Sequence, residues 1–320
     1  MPVEIPREKW SGKVREVTLG ATAEQGGTRS HTVTVGGETT LPFLGFEGAM
    51  PHRPVVAIEI ADSKPGDWSA LLERVWGSVM EDAGAWAKAA EEAGADLIAL
   101  TFILNGPDGE PNTAANARAT IRKVLDATGL PLIVSGPGQA EVDNELIVAV
   151  AEEAAGERLV LGLCEDRNYR TIVAAALGHG HLVQARSPMD VNLAKQLNIL
   201  ISDMQLPLDR VVMDPTTGAL GYGIEYGYSV MERLRLAALQ GDSMTQLPII
   251  VTAGQEAWKT KEAKVNEGVP GAWGDWEERS INWEVLTGTS LIEAGADIVV
   301  LRHPESVRRV RAMVDAMVGA

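Results

Sequence analysis

Cysteine is almost absent from this chain of 320 residues, since Cys164 is the only one. A single thiol forms no internal disulfide, and by itself it cannot build a cysteine-ligated zinc or iron-sulfur site. Any such cluster that works with this chain must therefore be held by another chain.

Positive charge is also scarce, because 28 Lys and Arg stand against 44 Asp and Glu, a formal charge of −16. Nucleic-acid binding is disfavoured, since neutralising phosphates needs clustered cations. The first residues, MPVEIPREKW, lack the apolar stretch of a signal peptide, and no apolar run approaches the length that spans a membrane. We expect a soluble cytoplasmic protein with no nucleic-acid or membrane partner.

Short apolar runs alternate with longer amphipathic segments from Val55 onward. The runs are rich in Val, Ile and Leu without strict alternation, which is typical of parallel strands buried on both faces. Eight runs predict strands: Val55 to Ile60, Leu97 to Phe102, Leu130 to Gly136, Arg158 to Glu165, His181 to Ser187, Arg210 to Pro215, Leu247 to Gly254 and Asp297 to Pro304.

The segments between these runs predict helices. EEAGADLIAL and IEAGADIVVL repeat a helix end, a glycine and a strand, so Gly94 and Gly295 are predicted helix C-terminal caps. Eight strand-helix units in residues 51–320 fit an α/β fold of the TIM (β/α)8 barrel type better than a doubly wound sheet, whose Gly-rich first turn is missing. The last predicted helix follows Pro304 and has one apolar stripe: Val307, Val310, Val314 and Met317.

Residues 1–50 have a different pattern, with apolar and polar residues alternating in Lys13 to Gly20 and in His31 to Phe43. Gly36 and Gly37 are suited to a two-residue hairpin turn. We therefore predict an N-terminal β-hairpin extension that packs on the barrel or on a partner.

Histidine and cysteine give weak signals for chemistry. His179 and His181 have the spacing of some metal sites, but they precede a strand, where barrel residues are structural, and no acid completes a site. His303 follows a strand and is either a helix-entry residue or a functional one. Cys164 has no histidine nearby in the sequence, which favours packing over nucleophilic catalysis. We predict no catalytic residue and no metal ligand in this chain.

The ends of the strands are expected to form the ligand face. Two long connections there, Met213 to Leu239 with its glycines and tyrosines and Thr252 to Trp283 with four tryptophans, favour ligand contact, although the tryptophans could simply cover the rim. The other strand ends are small, polar and neutral, and no GxxxxGK or GxGxxG motif is present. This pattern predicts a face that docks a broad, amide-rich ligand, with no clear acid-base pair.

Three stretches resemble a known family: TLGATAEQGGTRSHTVTVGGETTLPF, DVNLAKQLNILISDMQLPLDRVVMDPTTGALGYGIEYGYSVMERLRLAAL, and IIVTAGQEAWKTKEAK with ADIVVLRHPESV. The chain is similar to the small (delta) subunit of the corrinoid iron-sulfur protein of the acetyl-CoA decarbonylase/synthase (CO dehydrogenase/acetyl-CoA synthase) system.

The resemblance implies a TIM barrel that pairs with a large subunit, and the large subunit carries the [4Fe-4S] cluster and a corrinoid-binding domain. The barrel then covers a base-off corrinoid shared by the two subunits, with no histidine ligand from this chain. It also implies methyl transfer from a methyl-tetrahydropterin, through a separate methyltransferase, to acetyl-CoA synthase in the reductive acetyl-CoA (Wood-Ljungdahl) pathway of carbon fixation. This subunit would shield and orient the cofactor and would not act as an enzyme alone.

Residues at the strand ends are the predicted corrinoid contacts on this interpretation. Asp214 could instead only shape the turn made with the proline after it. The predicted contacts are Thr101, Asn105, Ser135, Asp214, Thr216, Thr217, Gly218, Tyr222, Thr252, Gly254 and Glu256.

Two alternatives remain open from the sequence. Asn105, Asp166 and Asp214 would also suit a stand-alone pterin-dependent methyltransferase of the related barrel class, whose polar strand ends hold the pterin. The chain could also be a structural partner that touches the large subunit through its extension or helices and contacts no cofactor.

Overall fold

The computed structural model describes residues 6–106 and 109–319. Residues 1–5 of the predicted extension lie outside the described residues, as does the last residue of the predicted barrel. The strands are β1 (Val17–Leu19), β2 (Val33–Val35), β3 (Val55–Ala61), β4 (Leu97–Thr101), β5 (Leu132–Ser135), β6 (Val160–Cys164), β7 (Leu182–Arg186), β8 (Val211–Asp214), β9 (Ile250–Val251) and β10 (Ile298–Leu301).

Helices alternate with these strands, and several begin at a side-chain cap such as Asp82 or Thr113, whose oxygen accepts a backbone N–H of the first turn. The helices are α1 (Ala70–Trp76), α2 (Ala83–Glu92), α3 (Ala114–Ala127), α4 (Ala140–Glu153), α5 (Tyr169–His179), α6 (Val191–Asp203), α7 (Ile224–Leu239), α8 (Ala253–Ala257), α9 (Lys261–Lys264), α10 (Trp276–Glu293) and α11 (Pro304–Val318).

Strands β3 to β10 form a parallel sheet in the order β8-β7-β6-β5-β4-β3-β10-β9. The sheet closes between β8 and β9, where the Met213 N–H donates to the Pro248 carbonyl at 2.8 Å. The predicted TIM barrel is therefore confirmed. Gly94 and Gly295 follow α2 and α10 with φ of 93° and 116°, which confirms their role as helix caps.

The predicted stripe of the last helix is found on α11. Val307, Val310 and Val314 are buried against the sheet, and Met317 is half-buried. His303 caps this helix, because its Nδ1 accepts the Glu305 N–H at 3.1 Å. The helix-entry interpretation of His303 is therefore confirmed.

The barrel interior is apolar toward the amino ends of the strands. Val55, Leu97, Leu182 and Ile298 belong to one buried cluster with residues of the N-terminal hairpin, Val17 and Val35 among them. The hairpin therefore seals the amino end of the barrel. An opening into the barrel interior can therefore form only at the carboxyl end of the strands.

The predicted hairpin exists, but the predicted turn is wrong. β1 and β2 pair antiparallel, with Val17 opposite Val35, yet residues 20–32 connect them. Gly36 and Gly37 follow β2 with φ of 87° and 88°, and a Cβ on Gly36 would lie 2.1 Å from the Arg15 carbonyl oxygen. These glycines are needed because the chain crosses closely over the start of the extension, and residues 38–54 form no further strand.

Arg29 anchors the extension to the outside of the barrel. Its buried guanidinium donates to Glu157 Oε2 at 3.1 Å and to the carbonyl oxygens of Leu125 and Thr128. These acceptors satisfy the buried cation and fix the hairpin against α3 and the segment that follows it.

Candidate ligand cavity at the carboxyl ends of the strands

A cavity of about 580 Å³ opens at the carboxyl ends of the barrel strands. Its wall combines apolar and polar side chains. The polar ones face inward because side chains alternate between the two faces of each strand. The polar and charged residues that line it are Glu59, Asp67, Thr101, Ser135, Glu165, Arg167, Gln184, Arg186, Thr252, Gln255 and Arg302.

A buried ion pair crosses one side of the cavity. Arg302, directly after β10, donates from Nε to Glu59 Oε2 at 2.7 Å and from Nη2 to Glu59 Oε1 at 2.8 Å. The guanidinium also lies 4.5 Å from the centre of the Trp68 ring. Bidentate hydrogen bonding and the aromatic face together offset the desolvation of the two charges.

An amide-carboxylate pair lies on the other side. Gln184 on β7 donates from Nε2 to Asp214 Oδ2 on β8 at 2.7 Å, and Asp214 Oδ1 accepts the Thr216 N–H at 3.0 Å. Burial raises the pKa of Asp214, which is 1% exposed. Because its Nε2 is engaged, Gln184 keeps Oε1 turned away from Asp214, and this oxygen has no hydrogen-bond partner within residues 6–106 and 109–319.

Charged groups also occupy the rim. Arg167 donates to Glu165 Oε2 at 2.6 Å, while Arg186 only approaches Glu165 Oε1 at 4.0 Å. The lining thus balances three carboxylates, Glu59, Asp67 and Glu165, with three guanidinium groups. Among the strand ends predicted to be small, polar and neutral, only Arg186 is charged; the formal charge of the whole lining sums to zero.

A second buried carboxyl supports the loop that carries Asn105. Asp62 accepts the Ile103 N–H at 2.9 Å and the Asn112 side-chain amide at 2.5 Å. Burial raises the pKa of Asp62 to about 6 despite these hydrogen bonds. This contact is structural: it ties the β4-α3 loop to the end of β3.

Three of the predicted contact residues, Thr101, Ser135 and Thr252, line the cavity. Asn105 and Tyr222 are exposed at other places on the surface, and Tyr222 is 74% exposed. Glu256 forms an ion pair with Lys259 at 2.8 Å.

The remaining predicted contacts mainly support the wall from behind. Thr216 donates to the Ser187 carbonyl at 2.6 Å, and Thr217 Oγ1 accepts the Thr252 N–H at 2.9 Å. A Cβ on Gly218 would meet the Gly223 carbonyl oxygen at 2.6 Å, and one on Gly254 would meet Glu284 Oε1 at 2.7 Å. None of these four, nor Asp214, is among the cavity-lining residues.

Sequence reasoning missed Glu59, Gln184 and Arg302. Glu59 interrupts the apolar run VVAIEI, Gln184 lies between apolar residues in LVQAR, and Arg302 directly follows the apolar strand in DIVVLRHP. A single polar residue within such a run, at the parity of the inward-facing residues, is the signal that could have identified the first two. Arg302 directly follows β10, so its position after a strand is the signal that could have identified it.

The two long connections are more regular than predicted. α7 begins at Ile224, so Tyr226 and Tyr228 are helical residues and do not belong to a loop. β9 ends at Val251 because the Thr252 N–H bonds Thr217 in place of a neighbouring strand, and α8 starts at once. Trp258 is buried and stacks on His303 with ring centres 6.0 Å apart.

Cys164 and His181 have the structural roles favoured by the sequence. Cys164 is fully buried, and burial raises the pKa of its thiol, so it is no activated nucleophile. His181 Nδ1 accepts the Leu159 N–H and its Nε2 bonds the Ala151 carbonyl. Among the described residues, no group of three or more His, Cys, Asp or Glu could hold a metal ion. In the same part of the chain no helix is long and apolar enough to cross a membrane.

Fold and cavity define the class of the protein: a (β/α)8 barrel, sealed at its amino end by a hairpin, with a ligand cavity at its carboxyl end. The family model described as CO dehydrogenase/acetyl-CoA synthase delta subunit matches residues 16–314. The chain belongs to this family.

Curated relatives carry the same family name. The delta subunit of the acetyl-CoA decarbonylase/synthase complex of Archaeoglobus fulgidus is 37% identical over 98% of this chain and 70% of its own length. The delta 1 subunit of Methanosarcina thermophila is also 37% identical, over 98% of this chain and 72% of its own. The subunit of Methanopyrus kandleri is 38% identical over 96% of this chain and 76% of its own.

Solved structures support the fold alone. Dihydropteroate synthase of Xanthomonas albilineans with 4-aminobenzoic acid has a TM-score of 0.55 at 14% identity, covering 87% of this chain and 98% of that chain. The same enzyme in complex with 7,8-dihydropteroate also has a TM-score of 0.55 at 14% identity, covering 88% and 100%.

Proposed function

We propose that this delta subunit is the small subunit of a heterodimeric corrinoid iron-sulfur methyl carrier, and that its barrel covers a corrinoid held by the large subunit. The single observation that carries the proposal is the cavity at the carboxyl ends of the strands, in a chain of this family. The [4Fe-4S] cluster belongs to the large subunit, since this chain has one cysteine and that cysteine is buried.

The lining fits a corrinoid that rests over the cavity. A corrinoid that rests over this space of about 580 Å³ would bring its amide-bearing edge to the polar groups at the opening. Gln184 Oε1 and the Arg186 guanidinium have no hydrogen-bond partner in the described residues and would be available to such a ligand. A bound corrinoid supplies the cobalt that carries a methyl group from a methyl-tetrahydropterin to acetyl-CoA synthase.

In this proposal, the residues of this chain position the corrinoid and shield it from solvent. Thr101, Ser135 and Thr252 offer hydroxyl groups around the opening, and the Glu59-Arg302 pair keeps the floor rigid. The described part of the lining contains no histidine, so the proposal assigns no cobalt-ligating imidazole to this chain. The chain therefore limits access to one face of the ring and does not act as an enzyme alone.

The test uses the heterodimer with the large subunit. We expect co-purification and a visible spectrum with corrinoid and iron-sulfur absorption. Ser135→Trp should lower corrinoid occupancy at least severalfold, because an indole at this position would obstruct the opening that the edge of the ring must reach. Ser243→Trp, exposed at the opposite end of the barrel, is the matched control. A heterodimer with full corrinoid occupancy in both variants would contradict the proposal.

A stand-alone pterin-dependent methyltransferase is the second candidate. A cavity of about 580 Å³ is of the size that encloses a pterin, and a structural neighbour holds 7,8-dihydropteroate. If this candidate is right, the chain alone binds methyl-tetrahydrofolate and methylates free cobalamin in its reduced state. If the first proposal is right, the isolated chain does neither.

A further inference from the structure

Two unsatisfied hydrogen-bonding groups lie two residues apart on β7. Gln184 and Arg186 share one face of the strand, since side chains alternate between faces, and both line the cavity. Gln184 is 1% exposed, and its Oε1 has no hydrogen-bond partner in the part of the chain that the structure describes. The Arg186 guanidinium forms no hydrogen bond with any described residue, and the Glu165 carboxylate oxygen nearest to it is 4.0 Å away.

The orientation of the Gln184 amide is fixed by its neighbours. Asp214 accepts from Nε2 at 2.7 Å, which leaves the carbonyl oxygen as the free end. A Cβ placed on Gly162 would lie 2.7 Å from Gln184 Oε1 and 2.7 Å from Ser135 Oγ. Both oxygens therefore border the space beside Gly162, where a larger residue would not fit. Ser135 also has a free hydroxyl, since its Oγ forms no hydrogen bond within the described residues.

A free acceptor beside a free guanidinium donor matches one chemical group. A primary carboxamide offers a carbonyl oxygen and an NH2 group side by side. A carboxylate would satisfy Arg186 but would present a second acceptor to Gln184 Oε1, next to the carboxyl groups of Glu165 and Asp214. An ammonium group would satisfy Gln184 and be repelled by Arg186. The zero formal charge of the lining also favours a neutral ligand group.

We propose that the end of β7 is a subsite for a neutral primary carboxamide, whose carbonyl oxygen accepts from Arg186 and whose NH2 donates to Gln184 Oε1, directly or through one water. The choice of natural ligand rests on the proposed function, because a corrinoid carries such amides on its ring edge. A free small amide is the other source of the same chemistry. The subsite makes this chain select amidated corrinoids over those with a free acid at the same position.

The first experiment tests the subsite on the full chain without any corrinoid. Benzamide and benzoate differ only in the group that the subsite distinguishes, and their binding is measured by ligand-observed NMR titration. We expect benzamide to bind at least about tenfold more tightly than benzoate, because a site built around hydrogen bonds rejects a ligand that leaves them unmade. Gln184→Met and Arg186→Met should each abolish this preference.

Matched controls use the same substitutions elsewhere. Gln246→Met changes a half-buried amide at the opposite end of the barrel, and Arg170→Met removes an exposed guanidinium on α5. Both should keep the preference for benzamide. Arg186→Met leaves the Gln184-Asp214 hydrogen bond in place, so it tests the subsite even if Gln184→Met fails to fold. Equal binding of benzamide and benzoate, or a preference that survives both β7 variants, would overturn the proposal.

The second experiment identifies the source of the amide. The heterodimer is titrated with cobalamin and with a cobalamin monocarboxylic acid, and occupancy is followed by visible absorption. We expect cobalamin to bind about tenfold or more tightly than its monocarboxylic acid, and Arg186→Met to remove this preference. That result supports a corrinoid as the source of the amide. Equal binding of the two corrinoids, with the benzamide preference intact, assigns the subsite to a free amide. Failure to bind any corrinoid, with the benzamide preference intact, rejects the proposed function and leaves the subsite standing.

Discussion

Arg302 and Glu59 join the last and first strands of the barrel through two hydrogen bonds of 2.7 and 2.8 Å, although 243 residues separate them in the sequence. Both residues are less than one-tenth exposed. The pair is therefore largely shielded from solvent although both side chains line the cavity, and removal of one partner leaves the other charge without its counterion.

Loss of one partner should be more harmful than loss of both. We expect Arg302→Met to lower the free energy of unfolding by about 3–5 kcal/mol, because it leaves the Glu59 carboxylate buried without its cation. Adding Glu59→Leu to Arg302→Met should recover much of that loss. Urea denaturation followed by circular dichroism measures both variants. A double variant no more stable than the single one would show that the pair matters through packing and not through charge.

Gly254 is expected to tolerate no side chain. A Cβ there would lie 2.7 Å from Glu284 Oε1 and 2.8 Å from the Arg302 nitrogen, where α8, α10 and the end of β10 meet. We expect Gly254→Ala to destabilise the fold by about 1–3 kcal/mol through this overpacking. Gly178→Ala in α5 is the control, since no atom of the described residues outside its own helix turn lies within 4 Å of its Cβ position, and alanine there should be neutral or stabilising. Thermal unfolding of the two variants gives the comparison.

His181 makes the fold sensitive to acid. Burial lowers its pKa to about 4 from an ordinary value of 6.5, so between these values the unfolded chain binds a proton that the native one does not. The contribution of His181 to stability is therefore complete above about pH 6.5 and is lost as the pH falls toward 4. We expect the free energy of unfolding of the wild type to fall more steeply over this range than that of His181→Gln. Parallel curves for the two proteins would contradict the assignment.

Glu38 should act in the opposite direction. It lies buried beside Asp297, and burial followed by that neighbouring carboxylate raises the pKa of Glu38 to about 8, against the lowering effect of Arg235. In the native state the neutral form is favoured, so its contribution to stability is present at low pH and is lost as the pH rises through about 8. We expect Glu38→Gln to gain stability relative to the wild type between pH 5 and 8.5. Denaturant titrations of both proteins at these two pH values measure the difference. If Glu38→Gln instead loses stability relative to the wild type as the pH rises, the prediction is wrong.

The predictable part of the fold lies in its strands and helix ends. Apolar runs such as Val55 to Ile60 appear where the barrel has β3, and Gly94 ends α2 as its position after an alanine-rich helix indicates. These features follow from local chemistry, because burial on both faces requires apolar residues and a left-handed cap favours glycine. The Gly36-Gly37 turn failed for a non-local reason: Gly36 lies against the Arg15 carbonyl and Gly37 lies against Pro51, so both glycines are needed for close contacts outside a hairpin turn.

The candidate site was less accessible from the sequence. Choosing residues at the ends of strands identified three that line the cavity, Thr101, Ser135 and Thr252. The same rule also selected Thr216, Thr217 and Gly254, whose contacts lie behind the cavity wall. Residues within the strands form the inner part of the cavity wall. Glu59 and Gln184 are distinguished only by the direction in which their side chains point, and that direction depends on how each strand is set in the barrel.

The sequence by itself determined the class of fold, the family and the absence of an internal cysteine-ligated cluster, since these depend on composition, spacing and local pattern. Only the tertiary structure decided that Arg302 meets Glu59, that Asp214 turns Gln184, and that the hairpin seals one end of the barrel. The physical reason is closure: inward-facing residues from distant strands become neighbours only when the sheet closes. Which hydrogen bonds they then satisfy, and which they leave for a ligand, depends on that geometry.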